Sequence, residues 1–494
     1  MDFLAVVIVF VLTIITTWFN SLRQRRQRAK LPPGPYPLPI IGNFHQLGNN
    51  PHHSLAKLAK TYGPLMSLHL GQLYTVVVSS PEAAKEILQK HDQAFSSRTI
   101  SAATESQDHH KVSLVFLPAG DEWRQMRKIC REHMLSNRRL DASEGLRQAK
   151  LRTLLDYLQK CCDGGRAVNI AEATFITTLN LMSATLFSIQ VAEFESDAAQ
   201  EFKVTFENLS SVSAAPNIGD FFPVVKPLDL QGIQKKSQGV FAKILGLIGD
   251  IIDERLHSRS ALNAPRRSDL LETLLDISEG TEFDFNTKTI KHLLLDLLFA
   301  GSDTSASTAE WTMAELIKNP EKMVKAKEEL RSVVGSEKQV RESDMSRLPY
   351  LRAIIKEVFR CHPPAPFLVP HKSVDDTQVG DYVIPKDTQI LVNVWAYSRD
   401  PSLWSDPASF EPERFLDRNI DFKGQDFELI PFGSGRRICP GIPLADRMLP
   451  LMVATLIHNF DWKLEPGVKQ LDMTEKFGVV IHRAVPLKAI PIKP

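Results

Sequence analysis

The 494-residue sequence has few cysteines, five in all at positions 130, 161, 162, 361 and 439. An odd, scattered set of this kind argues against a disulfide framework, and no CxxC pair or Cys/His spacing points to zinc. Net charge is also missing, with 59 basic residues against 58 acidic ones. Setting aside Asp2, Arg23, Arg25, Arg26, Arg28 and Lys30 leaves 54 basic against 57 acidic residues over 31–494, a net −3. Such a body offers no overall attraction to a phosphate backbone, so nucleic acid binding is disfavoured. No low-complexity tract or repeat of fixed period stands out. The 43% hydrophobic and 24% charged content is that of a folded globular protein.

Charge is absent altogether from Phe3 to Leu22, "FLAVVIVFVLTIITTWFNSL". At 1.5 Å per residue this run spans roughly 30 Å, one hydrocarbon core. A cleaved signal peptide needs basic residues before the apolar run and a small-residue cleavage site after it. Here Asp2 precedes the run and "RQRRQRAK" follows it, which predicts a single anchor with a lumenal N-terminus and a cytosolic body. Prolines at 32, 33, 35, 37 and 39 then predict an extended, stiff spacer. The expected organisation is an anchor over 1–22, a basic and proline-rich linker over 23–43, and one domain over 44–494.

Within that domain "EAAKEILQKH", "QAKLRTLLDYLQKC" and "FAKILGLIGDIIDERLHSR" carry apolar residues at three- and four-residue spacing, and helices dominate to about residue 360. Short runs, "LMSLHL", "YTVVVSS", "TQILVNV" and "FGVVIHR", predict small sheets near both ends. The longest expected helix starts near Thr287 and ends at Pro320, and "AGSDTS" interrupts its apolar middle. Burying Asp303, Thr304 and Ser305 there is costly unless they are bonded or solvated.

Cys439 stands in "FELIPFGSGRRICPGIPLA", where Phe432, Gly435, Arg437, Cys439 and Gly441 form F-x-x-G-x-R-x-C-x-G. On this loop the chain resembles the haem-thiolate monooxygenases, the cytochrome P450 superfamily. The resemblance implies a mainly helical single-domain fold with small β-sheets, and a thiolate at Cys439 bound to the iron of haem b, iron protoporphyrin IX. Backbone amides and the dipole of the following helix suit the anionic sulfur, and the glycines are expected to let the loop approach a flat macrocycle. The resemblance further implies that Arg437 pairs with a haem propionate and that Phe432 packs beside the sulfur. Trp123 and Arg127 of "WRQMR", and His371 of "VPHK", are expected at the propionates as well. Glu357 and Arg360 of "KEVFR", with Arg414 of "PERF", would form a buried structural ion network.

In the long helix, Gly301 is expected to leave room for dioxygen, while Thr304 and Asp303 supply protons. Electrons would come from NADPH through NADPH-cytochrome P450 reductase. Lys128, Arg131, Arg138 and Arg139 form either a docking patch for that partner or a solvated face. The resemblance implies an endoplasmic reticulum membrane location with the domain on the cytosolic side, and a small lipophilic substrate. Pocket walls would come from "TESQDHHKVSLVF", "SAAPNIGDFF", Leu294 to Thr304, "PAPFLVP" and "KFGVV". "YGPLMSLHLG", "FITTLNLMSATLFS" and "HNFDWKLEPG" look most like plant terpenoid hydroxylases, the geraniol hydroxylase and abietane diterpenoid oxidase group. Departures from the pattern are Cys361 in "FRCHPP" and the serines of "AGSDTS". Two rival functions are a haem-thiolate lyase or isomerase that rearranges a peroxide without a reductase, and a noncatalytic haem-binding protein. The Asp303–Thr304 pair argues against the first.

Overall fold

A computed structural model describes residues 30–260, 266–280, 285–335 and 338–493. The expected anchor, 1–22, and the basic stretch to residue 29 lie outside the described residues. Proline at the first helical position sets the start of α1 (Pro51–Tyr62). The alternating runs that follow form β1 (Leu65–Leu70) and β2 (Leu73–Val78), an antiparallel hairpin. After β3 (Ser97–Arg98) come α2 (Asp121–His133), α3 (Glu144–Asp163), β4 (Val168–Asn169), α4 (Ile170–Phe187), α5 (Asp197–Ala214), α6 (Ile233–Ser260) and α7 (Leu270–Gly280).

The expected long helix is α8 (Thr287–Lys318). Its start is fixed by Asn286, whose side chain accepts the Thr289 amide at 3.0 Å, and Pro320 follows its end. Next come α9 (Pro320–Val334), α10 (Pro349–Cys361), β5 (His371–Lys372), β6 (Thr377–Val379), β7 (Tyr382–Ile384), β8 (Gln389–Val392) and α11 (Ile442–Asn459). The chain closes with β9 (Asp461–Leu464), β10 (Glu475–Lys476), β11 (His482–Arg483) and β12 (Lys488–Ile492).

The five-stranded sheet runs β1-β2-β8-β5-β3, with β8 parallel to β2. A second sheet, β4-β12-β9, joins the last strand to the start of α4. Helices form the bulk and the sheets lie at the margins, as the periodicity predicts. One difference concerns the proline segment. Pro32 and Pro33 give their carbonyls to the Ser67 hydroxyl and amide, each at 2.7 Å, so this stretch is sewn to β1 rather than standing off it as a spacer. Folded structure therefore begins well before residue 44.

Among the described residues, α4 alone is long and apolar enough to cross a membrane, yet 78% of it is buried. It is a core helix laid against α8. The hydroxyls of Thr174 and Thr178 reach the α8 carbonyls of Ala306 (3.3 Å) and Ser302 (3.0 Å). Hydroxyls bonded in this way satisfy buried polar groups while leaving the helices close together.

Candidate active site

The Cys439 loop is held by its own backbone. The Cys439 amide donates to the Phe432 carbonyl (2.9 Å), and the Gly441 amide donates to the Cys439 sulfur (3.3 Å). α11 starts at the next residue with Pro443 in its first turn, so its N-terminus lies at the cysteine. Burial pushes the Cys439 thiol above its ordinary value, while the Gly441 amide, Arg127 and the Ile442 amide pull it back. Gly435 has φ +66°, and a Cβ there would lie 1.7 Å from the Leu88 carbonyl oxygen. This glycine thus makes a close approach to protein backbone. Leu88 lies where the helix from Pro81 widens into a π-turn over Glu86–Lys90. The Phe432 ring packs edge-on to Phe359 of α10 (5.2 Å) and tilted against Phe422 (5.6 Å).

Three guanidiniums, those of Arg98 and Arg437 buried and that of Arg127 half-buried, gather beside this loop. Arg437 donates to the carbonyls of Ser96 (2.7 Å) and Leu117, and its Nη1 is buried without a hydrogen-bond partner. Arg127 donates to the Ile438 carbonyl at 2.7 Å. The third, Arg98, was not among the expected residues; it donates to the carbonyls of Val115 and Val369. Burial and then the Arg127 charge push Arg437 down to about 10, and burial with Arg437 and Arg127 pushes Arg98 well below its ordinary value. Among the described residues, no carboxylate lies within ion-pair distance of any of the three. Like charges crowded in this way call for an anion from outside the chain.

Two expected residues engage protein carbonyls. The Trp123 indole N–H is used by the Leu114 carbonyl (3.1 Å), and its ring faces Arg437 at 4.4 Å and Arg127 at 5.4 Å from the centroid. His371 bonds the Phe95 carbonyl through Nδ1 (2.7 Å), which requires the proton there and leaves Nε2 outside this bond. Burial, then Arg98, holds its pKa well below the ordinary imidazole value. Arg98 is paired with His371 across β3 and β5. The only sequence signal was an arginine alone in the otherwise uncharged "FSSRTIS".

Behind the loop, Glu357, Arg360 and Arg414 meet as expected. Arg360 binds both Glu357 oxygens at 2.8 and 2.7 Å, and Arg414 reaches Oε1 at 3.1 Å. The Glu411 amide adds a further bond to that oxygen (2.8 Å), and the carbonyls of Ser398, Pro407 and Ser409 take the remaining Arg360 donors. Every charge in this group, with Glu357 and Arg360 fully buried and Arg414 at its edge, is bonded, the condition under which burial is tolerated.

In α8 the Thr304 hydroxyl donates to the Ala300 carbonyl at 2.6 Å. Asp303, 2% exposed, is paired instead with His482 of β11, Oδ2 to Nε2 at 3.2 Å. His482 was not an expected site residue, since it sits in a strand-like run far along the chain. A Cβ on Gly301 would lie 2.6 Å from Met182 Cε and 2.7 Å from its sulfur. The missing side chain at 301 therefore lets α4 pack on α8, which replaces the expectation that it makes room for dioxygen.

Residues 32–488 match the family described as Cytochrome P450. The chain belongs to the cytochrome P450 family. Over its whole length it is 57% identical to a ferruginol synthase of Isodon rubescens, itself covered completely. A ferruginol synthase of Salvia miltiorrhiza is 56% identical over 97% of this chain and 96% of its own, and a carnosic acid synthase of Rosmarinus officinalis 51% over 97% of each. This cytochrome P450 is accordingly a haem-dependent monooxygenase that receives electrons from a reductase. Its own residues fit a haem. The unpartnered Arg437 Nη1 and three arginines, two buried and one half-buried, with no acidic partner among the described residues, suit a flat group bearing carboxylates, and the nearby cysteine suits its iron.

Proposed function

We propose that the protein oxidises a diterpenoid at the endoplasmic reticulum membrane, with haem b ligated by Cys439 and electrons from NADPH delivered by NADPH-cytochrome P450 reductase. The observation that carries the haem assignment is the cluster of Arg98, Arg127 and Arg437, largely shielded beside Cys439 and without an acidic partner among the described residues. These three cations would hold the propionates. Haem, when bound, supplies the iron at which dioxygen is activated. The chain's own part is to place substrate and to meter protons. Thr304 holds a proton at Oγ1, parked on the Ala300 carbonyl in the present arrangement, and Asp303 is the buried acid that replenishes it.

A diterpenoid substrate is supported by the relatives named for ferruginol, sugiol and carnosic acid synthesis, each at least 51% identical over nearly the whole chain. Membrane apposition gains support from an exposed apolar surface. Leu38, Ile40 and Ile41 on the proline segment, and Val224, Leu228 and Leu230 after Phe222, are all more than 40% exposed. The two stretches are joined where Phe44 packs edge-on to Phe221 at 4.5 Å.

The test is a panel of ferruginol, sugiol, abietane hydrocarbons and geraniol, incubated with microsomes holding the full chain and a plant reductase. Products are identified by mass spectrometry and NMR. An oxygenated diterpenoid that requires both NADPH and dioxygen is expected. Product formed without NADPH would favour peroxide rearrangement, and oxidation of geraniol alone would overturn the diterpenoid assignment.

A further inference from the structure

Asp303 is the acid beside Thr304 in α8, yet it has almost no contact with water. It points toward the C-terminal segment, along with the residues one and two turns further on. Ser307 donates to the Ile481 carbonyl (2.7 Å), Trp311 to the same oxygen (3.4 Å), and Glu310 accepts the Leu487 amide (2.8 Å). Within this wall the Asp303 side chain is 3% exposed and the His482 side chain 24%. A sealed carboxylate that spends a proton in each cycle has to be recharged, and His482 is the titratable group in contact with it.

We propose that His482 is the proton donor to Asp303, the outer station of a path from the solvent-facing edge of α5 and the C-terminal segment to the middle of α8. The proposal rests on the reading in which Asp303 and Thr304 supply the protons of oxygen activation. The imidazolium gives its Nε2 proton to Asp303 Oδ2, leaving a neutral ring and a neutral carboxyl. Asp303 passes its proton inward and returns to carboxylate, and His482 regains one from solvent. One proton enters for each that leaves, and no electrons move.

The charges facing His482 favour its loaded form. Burial lowers its pKa, but Asp303 and Glu310 on α8 and Glu207 on α5 outweigh this and raise it above the ordinary value. Arg483, 3.7 Å from Glu310, and Lys476, 3.6 Å from Glu207, offset part of that field. Glu207 is 41% exposed, so the acidic groups around the ring extend from surface to interior. The imidazolium is fully populated below about pH 6.5 and is lost as pH rises through the raised value.

His482→Gln keeps an amide donor but cannot carry the proton. In the full-length protein with reductase, assayed with the panel diterpenoid that yields product, it is expected to slow coupled turnover by roughly ten-fold or more. The substrate-induced spin shift should keep its midpoint, and the fall in rate toward alkaline pH that the parent is expected to show should disappear. In the carbon-monoxide-bound ferrous protein with labelled histidine, the resonance missing from His482→Gln should titrate above the ordinary imidazole value and move down in Asp303→Asn. If His482→Gln loads too little haem, His482→Asn serves the same comparisons. A glutamine variant with the parental rate and pH profile overturns the proposal, as does a His482 resonance indifferent to Asp303→Asn. Slow Asp303→Asn beside normal His482→Gln removes only His482 from the path. Normal rates in both remove Asp303 as the proton source as well.

Discussion

Cys439 and Thr304 ask opposite things of their surroundings. The sulfur needs amides and cations around it, and it has the Gly441 N–H, the start of α11 and Arg127. Cys439→Ala should therefore abolish the red-shifted Soret band of the reduced carbon monoxide complex, since Cys130 and Cys361 are buried thiols pushed up to about 12. A retained thiolate band would refute the ligand. Thr304 needs freedom to exchange one acceptor for another. Thr304→Ala removes a single small hydroxyl and should leave the substrate-induced spin shift almost unchanged. Protons then arrive without guidance, so NADPH consumption should outrun product, with hydrogen peroxide making up the difference. Parental coupling, or a loss seen only as weaker binding, would make Thr304 a pocket wall. At this scale the residues legible in the sequence were those inside compact motifs, such as Arg437 and Glu357. Arg98 and His482 were not legible, because their roles come from partners far along the chain: Arg98 beside His371 across a strand pair, and His482 beside Asp303. Trp123 and His371 lie beside Arg437 and Arg98, where the Trp123 N–H and the His371 Nδ1 are engaged by carbonyls.

Among elements, α10 and α8 show two ways of burying polarity. α10 carries the Glu357–Arg360 pair, closed by Arg414 and by carbonyls from the 398–409 stretch. Removing Glu357 leaves Arg360 buried without its carboxylate, and removing Arg360 leaves Glu357 with Arg414 as its remaining cation; breaking a buried pair costs about 3–5 kcal/mol. Glu357→Gln and Arg360→Leu should accordingly give little haem-loaded protein, measured as haem absorbance per mole of purified chain. Normal loading in both would contradict the burial seen here. α8 instead spreads its polar residues over separate faces, toward α4, toward the C-terminal segment and along its own backbone. Its length and bounds could be read from a pattern starting near Thr287 and a proline stop at 320, while the Asn286 cap came from the structure. The use of Gly301 could not, because a glycine in a helix gives no sign of which neighbour presses on it. Met182 does so here, from a helix more than a hundred residues earlier.

For the whole molecule, the helical bulk and marginal sheets followed from periodicity, whereas the attachment of the proline segment to β1 did not. Extended proline-rich chain reads alike whether it is free or docked, and docking depends on β1 offering Ser67. Deleting residues 1–22 should leave haem content and fold intact and shift the protein toward the soluble fraction. Some should stay on anionic vesicles, held by the arginines at 23, 25, 26 and 28 and by the exposed apolar surface. Loss of haem on truncation would contradict this division of labour. The C-terminal segment has a consequence for biosynthesis. β12 pairs with β4, Ile481 and Leu487 satisfy Ser307 and Glu310, and His482 meets Asp303. On the ribosome, Asp303 and Glu310 of α8 must therefore wait through the synthesis of more than a hundred and sixty further residues before they meet His482 and the Leu487 amide. The nascent chain cannot close this side of α8 until residues 481–492 have been made, so a premature stop at codon 481 should be as damaging as a lesion in the centre of the fold.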